Sequence, residues 1–189
     1  MVPNAETERL LLRPLALADA EQIQIIFPHW EIVRYLLNRV PWPYPPDGAL
    51  IYLRDKMLPA VERGDAWAWT IRLKSEPGQI IGCISLHRRD ETHRGFWIVP
   101  EHQNQGLMTE ASEVVTDFWF NTLKMPFLRV PKAAPNIGSR RISEKQGMRL
   151  IRTEERDFVS GRLPSETYEL TAEEWHANSN RHNSTNPYI

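Results

Sequence analysis

Gly95-Phe96-Trp97-Ile98-Val99-Pro100-Glu101-His102-Gln103-Asn104-Gln105-Gly106-Leu107-Met108-Thr109-Glu110-Ala111 carries the reading of the whole chain. Gly95 to Val99 is apolar, aromatic and β-branched, which suits a strand. Pro100 stops it, because proline has no N–H to give a ladder. From Leu107 the pattern turns helical, with Met108, Ala111, Val115, Phe118 and Trp119 on one face. Between them lies Gln103-Asn104-Gln105-Gly106, free of β-branched side chains. A loop that opens a helix presents unbonded N–H groups and the positive end of the helix dipole, a combination that binds phosphate. No Lys-Ser/Thr follows Gly106, so this is not a P-loop, and G-x-G-x-x-G is absent.

Composition bounds the rest. The 189 residues, 41% of them hydrophobic, suffice for one domain with a real core. A net charge of −1 gives no reason to expect nucleic acid or an anionic membrane surface as partner. No apolar run approaches the ~20 residues of a membrane span. The start, Met1 to Glu6, lacks the basic and apolar regions of a signal peptide, so a cytoplasmic location is the expectation. The single cysteine, Cys83, lies in the strand-like run Ile80 to Leu86 and reads as a packed hydrophobe. His176 and His182 stand at no metal-ligand spacing, and no metal is expected.

Outward from the opening stretch, the chain alternates strands and helices. Glu6 to Pro14 reads as a first strand, Asp19 to Phe27 as a helix, and His29 to Leu37 as another. Val40 to Pro46, with four prolines around Trp42 and Tyr44, is a stiff loop. A helix follows to Arg63, with Asp47 as its candidate cap and Gly64 as its stop. Ala66 to Leu73 and Gln79 to Leu86 form a hairpin about Glu76-Pro77-Gly78, and a polar turn at Arg88-Arg89-Asp90-Glu91 leads to the strand at 93–99. The helix from Gly106 then leads to a strand at 127–130, which makes a right-handed parallel βαβ crossover. A helix from Pro135 to Gly147 follows. Met148 to Thr153 and Ser165 to Thr171 close as a hairpin around Ser160 to Pro164. The expectation is one domain over 1–172 and a loose polar tail over 173–189. The class is α+β: a twisted, mostly antiparallel mixed sheet with one parallel splayed pair and helices on both faces.

This order, with Gln103 and Gly106 at the loop, resembles the GNAT superfamily of acyl-CoA-dependent N-acetyltransferases, whose signature is Q/R-x-x-G-x-G/A. Met108 departs from the usual glycine or alanine. Gly106-Leu107-Met108-Thr109-Glu110-Ala111 is similar to the G-x-x-T-E-A run of the RimJ/RimL-like branch, named for two ribosomal-protein acetyltransferases. Asn136-Ile137-Gly138-Ser139, then Glu144-Lys145-Gln146-Gly147-Met148, resembles its N-x-x-S…EK-x-G-F segment, and Glu6 to Arg13 its E-T-x-R-L-x-L-R start. The resemblance spans residues 6 to 172.

It implies acetyl-CoA as acyl donor, held in a V-shaped gap between strands 93–99 and 127–131. Backbone around Gln103, Asn104, Gln105, Gly106, Leu107, Met108 and Thr109 binds the pyrophosphate. Backbone of Ile98 and Val99, left unpaired by the splay, bonds the pantetheine amides. Asn136 offers that arm a donor and an acceptor, or is a plain helix cap. Ser139 protonates the leaving sulfur, or is a first-turn hydroxyl. The branch often carries a glutamate two residues before the Gly-aromatic pair. Here that position is His93, a candidate base or a packing side chain; Glu91 is a weaker candidate. Trp42 and Tyr44 are candidate acceptor-site residues, with Trp67, Trp69 and Trp97 in the core. The acceptor is a primary amine, on a protein N-terminus or a small molecule, and attacks directly. A homodimer is possible. The runner-up reading is a non-catalytic acyl-CoA-binding or regulatory module of the same fold.

Overall fold

The computed structural model describes residues 1–88 and 91–183, with side chains through Asn178. Arg89, Asp90 and the side chain of His182 therefore lie outside the described residues.

Two antiparallel sheets carry the fold. The first runs in sequential order through β1 (Ala5–Glu6), β2 (Leu10–Pro14), β3 (Ala66–Leu73), β4 (Gly82–His87) and β5 (Arg94–Ile98). The second has the order β6 (Phe127–Ala133), β8 (Gly161–Thr171), β7 (Arg149–Phe158). Seven of the eight residues of β3 are buried, so both of its faces are covered. Trp67, Trp69 and Ile71 meet Leu10, Leu12, Ile84 and Leu86 in the main core. Ala66 and Ala68 face the other way, toward Met57; their small side chains let a helix approach closely on that side. Gly82 is dictated by the pairing of β4 with β5: a Cβ there would lie 2.4 Å from the carbonyl oxygen of Trp97.

Helices cover both faces. On one side lie α1 (Ala20–Ile26), α2 (Trp30–Val33), α3 (Gly48–Tyr52) and α4 (Leu58–Glu62). Ile23, Phe27, Val33, Ala49 and Leu53 pack there against Ile80, Cys83 and Trp97. The helix expected up to Arg63 is α3 and α4 joined through a wider π turn, Leu53–Met57. Asp47 makes no side-chain cap bond to it. The buried Arg72–Asp19 pair, 2.8 Å, ties this layer to the sheet. On the other side, α5 (Leu107–Asp117) and α6 (Ile137–Lys145) cover the main core through Leu107, Met108, Ala111, Val115 and Ile142.

Three expectations need correction. Between β5 and β6 no ladder forms: among the described residues the backbone link is His93 N–H to the Arg129 carbonyl, 2.9 Å. The single mixed sheet is therefore two sheets, joined through their backbones at His93 and Arg129. Second, the closing hairpin is longer than expected, because β8 runs through Pro164. That costs no ladder bond: β6 ends at Ala133, opposite Ser165, so nothing there needs an N–H from Pro164. Third, the part of the expected loose tail that is described is helical: Ala172–Asn183 forms α7. Thr171 and Glu174 cap each other reciprocally: Glu174 N–H donates to the Thr171 hydroxyl at 3.2 Å, and Thr171 N–H to the Glu174 carboxylate at 2.9 Å. Trp175 then stacks on Phe120, and His176 bonds Asn121.

Candidate functional site

The loop after β5 turns on itself through His102 N–H to the Val99 carbonyl (3.0 Å) and Gln103 N–H to the Pro100 carbonyl (3.1 Å). Asn104 (φ 60°) and Gly106 (φ 79°) both adopt left-handed backbone, tolerated by Asn and natural to Gly. Gly106 caps α5 without a side chain, and the first helical bond is Glu110 N–H to its carbonyl, 3.1 Å. The N–H groups of Leu107, Met108 and Thr109 precede that bond and point out of the helix start. The side chains of Leu107 and Met108 are buried in the core, so Met108 supplies packing below and only its backbone above.

A second motif locks this start in place. The Glu110 carboxylate accepts from the Thr7 hydroxyl, from Arg9 N–H (2.9 Å) and from Arg9 Nε (2.8 Å). Arg9 Nη1 also donates to the Gln105 carbonyl, 3.0 Å. Burial pushes the Glu110 carboxyl up, but the bonds from Thr7 and Arg9 outweigh it and hold the group below the usual glutamate range. The two stretches Glu6 to Arg13 and Gly106 to Ala111, about a hundred residues apart, are one structural unit.

The gap between β5 and β6 opens beside this loop. Val99 N–H donates to the Ile81 carbonyl of the neighbouring strand, and the Val99 carbonyl accepts from His102. Val99 is therefore not left unpaired, contrary to expectation. Alternation along β5 turns the backbone of Trp97 and Val99 toward β4 and that of Phe96 and Ile98 toward the gap. The Ile98 carbonyl already accepts Gln103 Nε2 at 3.1 Å, which gives Gln103 a loop-bracing role. Phe96 is the gap-facing position that sequence reasoning missed; the register, not the composition, reveals it.

Across the gap, the Asn136 side chain accepts from Ser139 N–H at 3.2 Å, so Asn136 is a helix cap for α6 whose amide NH2 remains a donor. Ser139 Oγ accepts from Lys132 Nζ at 2.7 Å. Lys132 is 7% exposed, and its Nζ lies 4.9 Å from the centre of the Phe96 ring. Burial, and then the charge of Arg94, push its ammonium well below the ordinary lysine range. Arg94 itself is 3% exposed and donates to Thr116 and Gln146. Burial lowers its pKa to about 10, and among the described residues its Nε and Nη2 find no partner. Lys132 and Arg94 escaped the sequence reading because a charge at a strand end reads as solvated; for Lys132 the one local signal is its place in the alternation of Leu128 and Val130 along β6.

His93 is not placed for proton abstraction from a substrate. It is 7% exposed, its ring stacks on Trp119 at 5.2 Å, and its Nδ1 accepts from Arg129 N–H at 2.9 Å. It stitches the two sheets where they touch. Glu91 pairs with Arg152 at 2.6 Å, and that bond lowers its pKa, which weakens it as a base. Cys83 packs against the α1–α3 layer, and burial pushes its thiol up, away from nucleophilic use. The two loop aromatics part company. Tyr44 packs edge-on to Phe27 (5.1 Å), which packs on Trp97 of β5 (5.2 Å), and burial, then Tyr52, raise its phenol to about 12. Trp42 instead pairs with Trp30 at the surface.

A helix start, a braced loop and an open strand gap in this order match a known family. Residues 9–149 match the family described as Acetyltransferase (GNAT) domain. The chain belongs to the GNAT family. Membership makes it an acyltransferase. It is 29% identical over 154 residues to the uncharacterized N-acetyltransferase YoaA of Bacillus subtilis, covering 78% of this chain and 83% of that one. The fold is shared with the ribosomal-protein-S5-alanine acetyltransferase of Vibrio fischeri: TM-score 0.77, 18% identity, 92% of this chain and 98% of the other. It is shared equally with RimL, a ribosomal L7/L12 α-N-protein acetyltransferase in complex with coenzyme A: TM-score 0.76, 13% identity, 91% and 99% covered. Among the described residues no helix is long and apolar enough to cross a membrane.

Proposed function

We propose that this protein moves an acetyl group from acetyl-CoA to a primary amine by direct attack. The observation that carries the reading is the start of α5: three N–H groups ahead of the first helical bond, a cap without a side chain, and a carboxylate–arginine brace beneath. Such a site suits a diphosphate. In this reading the gap-facing backbone of Phe96 and Ile98 and the amide of Asn136 hold the pantetheine arm. Ser139 donates a proton to the departing sulfur. The amine approaches from the side of α1–α3, where Tyr44, Phe27 and Trp97 line the way to β5. The acceptor is a protein N-terminus or a small amine.

Calorimetric titration with acetyl-CoA tests the donor half, with micromolar affinity expected. Absence of binding at millimolar acetyl-CoA overturns the reading. Free-thiol release with N-terminal peptides and small amines then tests the transfer and names the acceptor; a chain that binds but never turns over is a binding module instead.

A further inference from the structure

We propose that Lys132 is the proton carrier behind Ser139: it supplies, through the serine hydroxyl, the proton that leaves with the thiol. The inference rests on the acetyltransferase reading above and adds to it a residue that the family motifs do not contain.

The geometry is specific. Lys132 Nζ lies 2.7 Å from Ser139 Oγ, a full hydrogen bond. Among the described residues no carboxylate comes within ion-pairing distance of it. Glu166 stands opposite Lys132 in the β6–β8 register, but its carboxylate is held by Arg140 (2.8 Å) and the Tyr168 hydroxyl (2.8 Å). From β5 come Arg94, a second buried cation, and the Phe96 ring. From α6 come Ser139 itself and Arg140, the latter turned toward Glu166. A buried lysine in structural use is expected to have a counter-ion. This one has a hydroxyl, an aromatic face and a like charge instead, and its burial, followed by the charge of Arg94, favours loss of its proton. A lysine whose proton is loosened by burial and like charge can pass it to a hydroxyl it already bonds.

The step balances as follows. The neutral amine forms a C–N bond to the thioester carbonyl carbon, and the C–S bond breaks with its electron pair on sulfur. The Ser139 hydroxyl proton goes to sulfur, and an Nζ proton of the Lys132 ammonium replaces it on Oγ. The surplus proton on the new amide nitrogen returns, by way of water, to the neutral Nζ. The products are an N-acetyl amide and free thiol, with Ser139 and Lys132 restored. Lys132 acts through Ser139, so it is a positioning residue for the hydroxyl and a reservoir for its proton.

Two measurements test this. Nitrogen NMR of the ¹⁵N-lysine-labelled protein with acetyl-CoA bound, assigned by Lys132→Met, follows the Nζ resonance against pH. The expected midpoint lies well below the ordinary lysine value of about 10.4, and it moves in Ser139→Ala. Kinetics then use whichever amine the parent acetylates fastest in the acceptor screen. Lys132→Met, which keeps length and suits the apolar surroundings, should lower kcat about 100-fold, remove the alkaline limb of the pH profile, and leave acetyl-CoA affinity unchanged. Lys132→Arg, which cannot cycle its proton, should fail in the same way. An ordinary midpoint, or a Lys132→Met variant with the parent's rate and pH profile, overturns the relay while acetyl transfer stands. Absence of acetyl-CoA binding, or of turnover on every amine, overturns both.

Discussion

Replacing Glu110 by alanine should unfasten the start of α5. Three bonds go: the Thr7 hydroxyl, the Arg9 N–H and the Arg9 guanidinium pair. The guanidinium is 46% exposed, so its ion pair contributes at most about 1 kcal/mol. The other two are bonds to a charged acceptor whose side chain keeps 18% of its exposure, so each is set at about 1 kcal/mol, under the roughly 1.5–3 kcal/mol typical of bonds to charged groups. The carboxylate in the first turn also favours the helix dipole by a few tenths of a kcal/mol, which alanine's better helix propensity offsets. The total is about 3 kcal/mol, or a fall in Tm of roughly 9 °C for a chain of this length. Urea titration monitored by circular dichroism reads it directly. Because the folded-state pKa of Glu110 is lowered, its contribution is fully present above the unfolded value, about 4.3, and is lost as pH falls below that through the folded value. The difference between parent and variant should therefore shrink on acidification below about pH 4.3. Arg9 also holds the Gln105 carbonyl, so acetyl-CoA affinity should weaken in parallel. A loss under about 0.5 kcal/mol, the size of an ordinary surface substitution, would refute the view that the two motifs form one unit.

Other outcomes follow from single contacts. Gly106→Glu forces a side chain into left-handed backbone, at about 1 kcal/mol, and sets a carboxylate against the diphosphate site; calorimetry should show no acetyl-CoA binding to a protein that remains folded. His93→Ala should cost about 2–3 kcal/mol through the cavity beneath Trp119, yet keep the pH profile of turnover. Loss of the acidic limb instead would restore His93 as the base. Gly82→Ala drives a Cβ into the Trp97 carbonyl and should cost about 3 kcal/mol by thermal melting.

The sequence determined most of the elements, because periodicity and proline placement are local signals. The strands β3 to β5, the loop, α5 and α6 stood close to where the pattern put them, whereas the strand expected over Glu6 to Pro14 is the antiparallel pair β1 and β2, and the helix expected over His29 to Leu37 shrinks to Trp30–Val33. It also determined the family, since Gln103, Gly106, Thr109, Glu110, Asn136 and Ser139 occur in order. What it missed locally, it contained: Thr171-Ala172-Glu173-Glu174 is a capping-box signal for α7. Other features were decided by tertiary structure alone. Which backbone groups face the gap depends on the β4–β5 register, and a one-residue slip exchanges Ile98 for Val99. Whether His93 titrates against substrate or packs depends on the ring above it. Lys132 reads in sequence as a solvated charge near a strand end. In the fold it is a desolvated amine on the Ser139 hydroxyl, because alternation along β6 turns it inward with Leu128 and Val130. Burial and neighbouring charge set a proton's affinity, and both are properties of the packed chain.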